Sequence, residues 1–312
     1  MAVIPAIDAS ANSTDHIHSV IRVGKPSPDR TKGAMQRVLS TYRYAQQPLG
    51  ASLISEIAQA ELTSVEIYCA PEHFNYRSPE AVREIGGLLG EHGISVHALH
   101  SPTERDMAPG RDSGVPISIS DTERIRRIDA VDEVKRALEV AERIPFRYLV
   151  QQLGNGRQMA DPRKTEAAFS SLEHLTIFAK ARGVTIALEN TPDELGAPAA
   201  LRHFIQETHL HDVKLCFDAG HAHLEGGVEA SFEAMGDLLA TTHIHDNHGE
   251  KDEHLMPWEG TIDWDAALRL LGSANDPLPM VLEIKELSTG APSLEQIRRI
   301  FDKIENAMEA RH

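Results

Sequence analysis

The chain has 312 residues and a formal net charge of −16, from 31 Lys and Arg against 47 Asp and Glu. With 41% hydrophobic and 25% charged residues, it has the composition of a folded protein able to bury one large core or two small ones. The charge argues against a surface built for nucleic acid or an anionic membrane. Two cysteines, Cys69 and Cys216, are too few for a disulfide framework or a four-thiolate metal site.

The opening MAVIPAIDAS has no basic segment and is broken by Pro5, so it does not read as a targeting signal. No stretch approaches the 18 or so consecutive apolar residues that a membrane span needs. The expectation is a cytoplasmic protein without membrane contact. Residues 1–33, with Pro5, Gly24, Pro26, Pro28 and Gly33, read as an irregular N-terminal arm, and residues 34–312 as a single domain.

From residue 36 short apolar runs alternate with longer amphipathic ones. Strands are expected at 37–42, 64–68, 94–99, 147–152, 184–189, 213–217, 241–246 and 280–284. A helix is expected over 121–143, with Ile125, Ile128, Val131, Val134, Leu138 and Ala141 as its buried stripe and Glu123/Arg127, Asp132/Arg136 and Glu139/Arg143 on its exposed face. Asp161-Pro162 starts another, burying Leu172, Leu175, Phe178 and Ala179. Ser293-x-x-Gln296 is a capping box opening a last helix with Leu294, Ile297, Ile300, Phe301 and Ile304 inward. Eight strand–helix repeats predict a (β/α)8 TIM barrel. A doubly wound open sheet competes, but G-x-G-x-x-G is absent and Gly154-Asn155-Gly156 is only a fragment of it.

The ionisable residues fall at strand ends, where a barrel builds its active face. His100 ends the third strand, Glu189 the fifth and Asp218 the sixth, with His221 three residues on. His243 and His245 lie in the seventh, and Glu283 in the eighth. Three carboxylates at one mouth would repel unless one stays protonated or a cation joins them. Glu189, Asp218, His245 and Glu283 are therefore expected to hold Mn2+, Mg2+, Co2+ or Zn2+. His243 shares a face with His245, and only the later residue need reach the mouth, so His243 is expected to be structural. His97 is expected to be a hydrogen-bonded core residue. In the loop after the seventh strand, Asp252 and His254 are expected to reach a ligand or substrate, and Glu250, Lys251 and Glu253 to be solvated. The chain has no G-x-x-x-x-G-K-[ST], H-E-x-x-H or G-x-S-x-G motif.

Glu189, Asp218, His221, His243, His245 and Glu283 stand in Ala187-Leu188-Glu189-Asn190-Thr191-Pro192, Phe217-Asp218-Ala219-Gly220-His221, His243-Ile244-His245-Asp246 and Leu282-Glu283-Ile284, with Pro257–Trp264 between the last two. Over residues 36–305 the chain resembles the xylose-isomerase-like TIM-barrel superfamily: sugar isomerases, ketose 3-epimerases, inosose dehydratases and zinc-dependent apurinic-site endonucleases. The resemblance places the shared metal on Glu189, Asp218, His245 and Glu283, and gives Glu189 and Glu283 the proton-transfer roles of the epimerases. It gives His221 contact with substrate oxygens or, as in the endonucleases, a further zinc shared with Asp252 and His254. His100 matches a ligand of another endonuclease zinc. Gln151-Gln152-Leu153-Gly154 stands where the endonucleases carry His-Pro-Gly, which argues against a three-zinc cluster. The epimerases' additional glutamate has no match beyond the nearby Glu194.

The implied activity is a divalent-metal-dependent isomerase or epimerase acting on a sugar, sugar phosphate or related polyol by proton transfer through a metal-stabilised enediolate. Glu66 and Trp258 would contact the substrate. The alternatives are a dehydratase of an inosose-type substrate, a metal-dependent phosphodiesterase or endonuclease-like hydrolase, and a non-catalytic sugar-binding protein. A small carbohydrate is the expected partner, and homo-oligomer formation is left open.

Overall fold

The computed structural model describes residues 35–107, 114–154, 161–285 and 292–309. The arm expected at residues 1–33 lies outside them. Eight parallel strands form one sheet: β1 (Arg37–Ser40), β2 (Ser64–Tyr68), β3 (Ser95–His100), β4 (Tyr148–Gln151), β5 (Thr185–Glu189), β6 (Lys214–Asp218), β7 (Leu239–His243) and β8 (Met280–Leu282). Neighbours follow chain order, and β8 pairs with β1. Beyond the end of β7 the Ile244 amide donates to Val281 O at 2.7 Å and the Glu283 amide donates to Ile244 O at 3.1 Å. These bonds close the ring, so the sheet is a barrel and the open-sheet alternative is excluded. A two-stranded antiparallel hairpin, Glu104–Met107 with Gly114–Pro116, follows β3.

Strand alternation sorts each strand into two faces. Leu99, Leu149, Ile186, Leu188, Leu215 and Phe217 join the large core cluster, whereas Ala98, Val150, Ala187 and Cys216 form a separate small one. The small residues face the barrel interior. His100, Glu189 and Asp218 lie two residues beyond Ala98, Ala187 and Cys216, so the inward faces of these three strands end in polar groups.

The helix at Pro162–Lys180 starts as expected: the Asp161 side chain accepts from the Arg163 amide at 2.9 Å. Leu172, Leu175 and Ala179 are buried, but Phe178 is only partly so and lies beneath the Arg182 guanidinium, 3.7 Å from its ring. The capping box also forms, with Ser293 N donating to Gln296 Oε1 at 2.7 Å and Gln296 N to Ser293 Oγ at 3.2 Å. The helix Arg124–Glu139 departs from expectation: Ile125 and Ile128 are 70% and 47% exposed. Its buried stripe is Ala130, Glu133, Val134, Ala137 and Leu138. The Glu133 carboxylate accepts from Tyr76 Oη at 3.0 Å and Arg77 Nε at 2.9 Å. That tertiary pairing turns the helix face inward at a charged residue that apolar spacing would place outside. Among the described residues no helix is long and apolar enough to cross a membrane.

Candidate metal centre

At the C-terminal ends of the strands, two groups of ligand-type side chains stand side by side. The first is Glu189, Asp218, His243 and Glu283, all buried, with one ligand atom from each within 4.8 Å of the others. His243 Nδ1 lies 3.1 Å from Glu189 Oε1, 3.3 Å from Glu283 Oε2 and 3.7 Å from Asp218 Oδ2. Sheet register explains the convergence, because Asp218 is the β6 partner of His243. Asn190 staples the neighbouring ends: its side chain accepts from the Asp218 amide at 2.7 Å and donates to Asp218 O at 3.0 Å.

This grouping differs from the sequence expectation. β7 runs from Leu239 to His243, two residues earlier than expected at its start and three at its end. The histidine aligned with the carboxylates is therefore His243, and His245 lies beyond the strand. His245 Nε2 is 3.0 Å from Asp218 and 4.0 Å from Asp252 Oδ1. It belongs to the second group, His221, His245, Asp252 and His254, whose ligand atoms are also within 4.8 Å of one another. A Cβ on Gly220 would sit 2.0 Å from the His245 ring, so this packing requires glycine there.

In the second group the backbone fixes two tautomers. His221 Nδ1 is 2.9 Å from Asn190 O and His254 Nδ1 is 2.9 Å from Glu283 O. A carbonyl only accepts, so both Nδ1 atoms carry hydrogen. Their Nε2 atoms face Asp252 Oδ2 at 3.4 and 3.0 Å. An imidazole lone pair facing a carboxylate is repulsive unless a proton or a cation stands between them. Donors of this type, fixed from behind by carbonyls, suit a divalent transition metal.

Asp252 and His254 arrive on a loop organised by Asp246, a residue whose part was not read from the sequence. The fully buried Asp246 carboxylate accepts from the Asn247, Trp258, Gly260 and Ile262 amides at 2.8, 3.0, 3.0 and 3.2 Å, and from Trp264 Nε1 at 2.8 Å. The signal available was an aspartate directly after the strand with Trp258, Gly260 and Trp264 downstream. Trp258 was expected to contact substrate. Instead its ring packs beside Trp264 and under Lys303 Nζ, 3.7 Å from the centroid, because the Asp246 knot turns it away from the mouth. Glu66 was also expected to contact substrate, but it is fully buried below His243 and does not line the pocket. His97 is buried, with Nε2 3.1 Å from Thr241 Oγ1.

The pocket above these groups has a volume of about 290 Å3. Glu189 and Glu283 reach it from the first group, and His221, Asp252 and His254 from the second. Tyr42, Tyr68, His100 and Gln152 complete much of its wall. Tyr42 lies against the His254 ring and Tyr68 against the His100 ring, with centroids 5.0 and 5.1 Å apart. Glu189 Oε2 accepts from Gln152 Nε2 at 3.0 Å and faces His100 Nε2 at 3.3 Å. Burial alone would raise Glu189, but His243, His100 and His221 outweigh it and hold this carboxyl well below its usual range. Asp218 is likewise held low against burial by His221 and His245. Glu283 is the exception: burial, with Glu189 adding repulsion, pushes it up to about 7. Against burial, Glu189 raises His100 to about 9.

A family pattern described as xylose isomerase-like TIM barrel matches residues 54–306. The chain belongs to that family. It is 24% identical to the uncharacterized protein MJ1311 of Methanocaldococcus jannaschii over 261 residues, 80% of this chain and 84% of that one. It is 44% identical to the uncharacterized protein y4fM of Sinorhizobium fredii over 72 residues, 23% of each chain. It is 26% identical to a probable endonuclease 4 of Haloquadratum walsbyi over 177 residues, half of this chain and 63% of that one. A D-tagatose 3-epimerase-like protein superposes with a TM-score of 0.73 at 20% identity, covering 89% of this chain and 99% of its own. The IOLI protein with a binding zinc atom gives 0.70 at 18% identity, covering 88% and 99%. At these identities the structural likeness is one of fold.

Proposed function

We propose that the protein is a divalent-metal-dependent isomerase or epimerase acting on a sugar, sugar phosphate or related polyol. The observation that carries this reading is the pair Glu189 and Glu283. Both open onto one pocket, and both sit within the same group of buried ligand atoms. Glu189, Asp218, His243 and Glu283 would hold the cation, and the oxygen-rich set with one imidazole suits Mn2+, Co2+, Zn2+ or Mg2+. A cation there supplies positive charge that polarises a substrate carbonyl.

The side chains divide the remaining work. Glu189, held as a carboxylate, accepts a proton from the carbon next to the carbonyl. Glu283, which opens onto the same pocket, returns a proton to the substrate carbon. Gln152 orients Glu189 through its amide hydrogen bond, and Tyr42 and Tyr68 offer apolar ring surface to a carbohydrate. Expulsion of a β-hydroxyl, an inosose-type dehydration, uses the same proton abstraction. In this reading residues 34–312 work as one catalytic domain in the cytoplasm, with a small carbohydrate as substrate.

Fold neighbours with 3-epimerase in their names support this reading. Its test is solvent deuterium exchange into a panel of ketoses, inososes and sugar phosphates. Undiminished exchange by Glu283→Gln overturns the proton-transfer role.

A second reading, a metal-dependent phosphodiesterase, is favoured by the neighbouring group His221, His245, Asp252 and His254 and by the endonuclease 4 relative. Two adjacent cations suit phosphoryl displacement. Elemental analysis separates the readings: one equivalent favours isomerisation, and two zincs with phosphodiester cleavage favour hydrolysis.

A further inference from the structure

We infer that Glu66 is the positioning residue that fixes which nitrogen of His243 a metal ion meets, and so sets the affinity of the first group. This rests on the proposed metal reading of Glu189, Asp218, His243 and Glu283.

Glu66 lies on β2 and His243 ends β7, on separate sides of the barrel wall and 177 residues apart. Both are fully buried. His243 Nε2 lies 3.2 Å from the Glu66 carboxylate. Ser40, the β1 partner of Glu66 in the sheet, donates Oγ to Glu66 Oε1 at 3.2 Å. That contact uses part of the carboxylate's acceptor capacity and helps fix its plane. An ionised carboxylate only accepts, so the hydrogen it binds on His243 is on Nε2. The lone pair is then on Nδ1, the atom 3.1 Å from Glu189 Oε1 and 3.3 Å from Glu283 Oε2. The opposite tautomer would leave Nε2 and Glu66 as two buried acceptors facing each other, which is costly. Glu66 thus presents Nδ1 to the ligand group and makes the imidazole a stronger donor, from a position where it touches neither cation nor substrate.

The test measures Zn2+ and Mn2+ affinity by chelator competition, together with 15N resonances of the His243 ring, which report this group separately from His221, His245 and His254. Glu66→Ala should weaken binding about 10- to 100-fold, whereas Glu66→Gln, which keeps an acceptor oxygen, should recover most of the loss. In the zinc-loaded unsubstituted protein, His243 should show a protonated Nε2 and a coordinated Nδ1, which needs no variant to fold. Affinity unchanged in Glu66→Ala, or coordination through Nε2, overturns the inference while leaving the metal site standing. An unsubstituted protein that binds no divalent ion overturns both.

Discussion

Glu189, Asp218 and His243 close three adjacent barrel strands, and Glu283 follows β8 by one residue, so sheet hydrogen bonds hold the first group in place. The second group is assembled differently. His221 sits in the first turn of the short helix Ala219–Leu224, His245 lies past the end of β7, and Asp252 and His254 ride on a loop tied down by one carboxylate, Asp246. Asp218 joins the two, within 3.7 Å of His243 and 3.0 Å of His245. The contrast teaches that a side-chain cluster on strand ends comes with the fold, whereas one on a loop needs a buried anchor of its own.

The sharpest way to break this comparison is at the strand-borne carboxylates. Glu283→Gln should lower substrate deuterium exchange by about 10^2- to 10^4-fold with the fold intact by circular dichroism, as expected on removing an acid–base group. Next comes the anchor. Asp246→Ala should cost about 3 kcal/mol in denaturant unfolding, because it strands several buried N–H donors. It should also displace Asp252 and His254, seen as a shifted His254 ring resonance, while the proposed ion at the first group is retained; equal disturbance of both groups would erase the distinction. Gly220→Ala should cost about 1–3 kcal/mol and displace the His245 ring, seen as a shifted His245 resonance with the His243 resonance unmoved.

The smallest effect is on pH dependence in chelator-treated protein. His100 titrates near 9 and Glu283 near 7, both above their ordinary values. A raised pKa contributes stability that is complete below the unfolded value and lost as pH climbs through the folded one. The melting temperature should therefore fall from about pH 5 to pH 9. A rise over that window would contradict both shifts, and saturating metal should flatten the slope by replacing protons with a cation.

The barrel was legible because the alternation of apolar runs and helical stripes is a local property of the chain. So were the strand-end identities of Glu189 and Asp218 and the caps at Asp161 and Ser293. The burial of Glu133 was not, since its partners Tyr76 and Arg77 are more than 50 residues away. Nor were the places of Glu66 and Trp258, which depend on His243 across the barrel and on the Asp246 knot. The choice between His243 and His245 shows the limit most clearly. In an extended strand both side chains take the same face, so the period of two cannot separate them. The amino-acid sequence determined that a histidine would meet the carboxylates. The interstrand register that sets Asp218 opposite His243 decided which of the two faces Glu189 and Glu283, because that pairing is a long-range hydrogen-bond relation between strands.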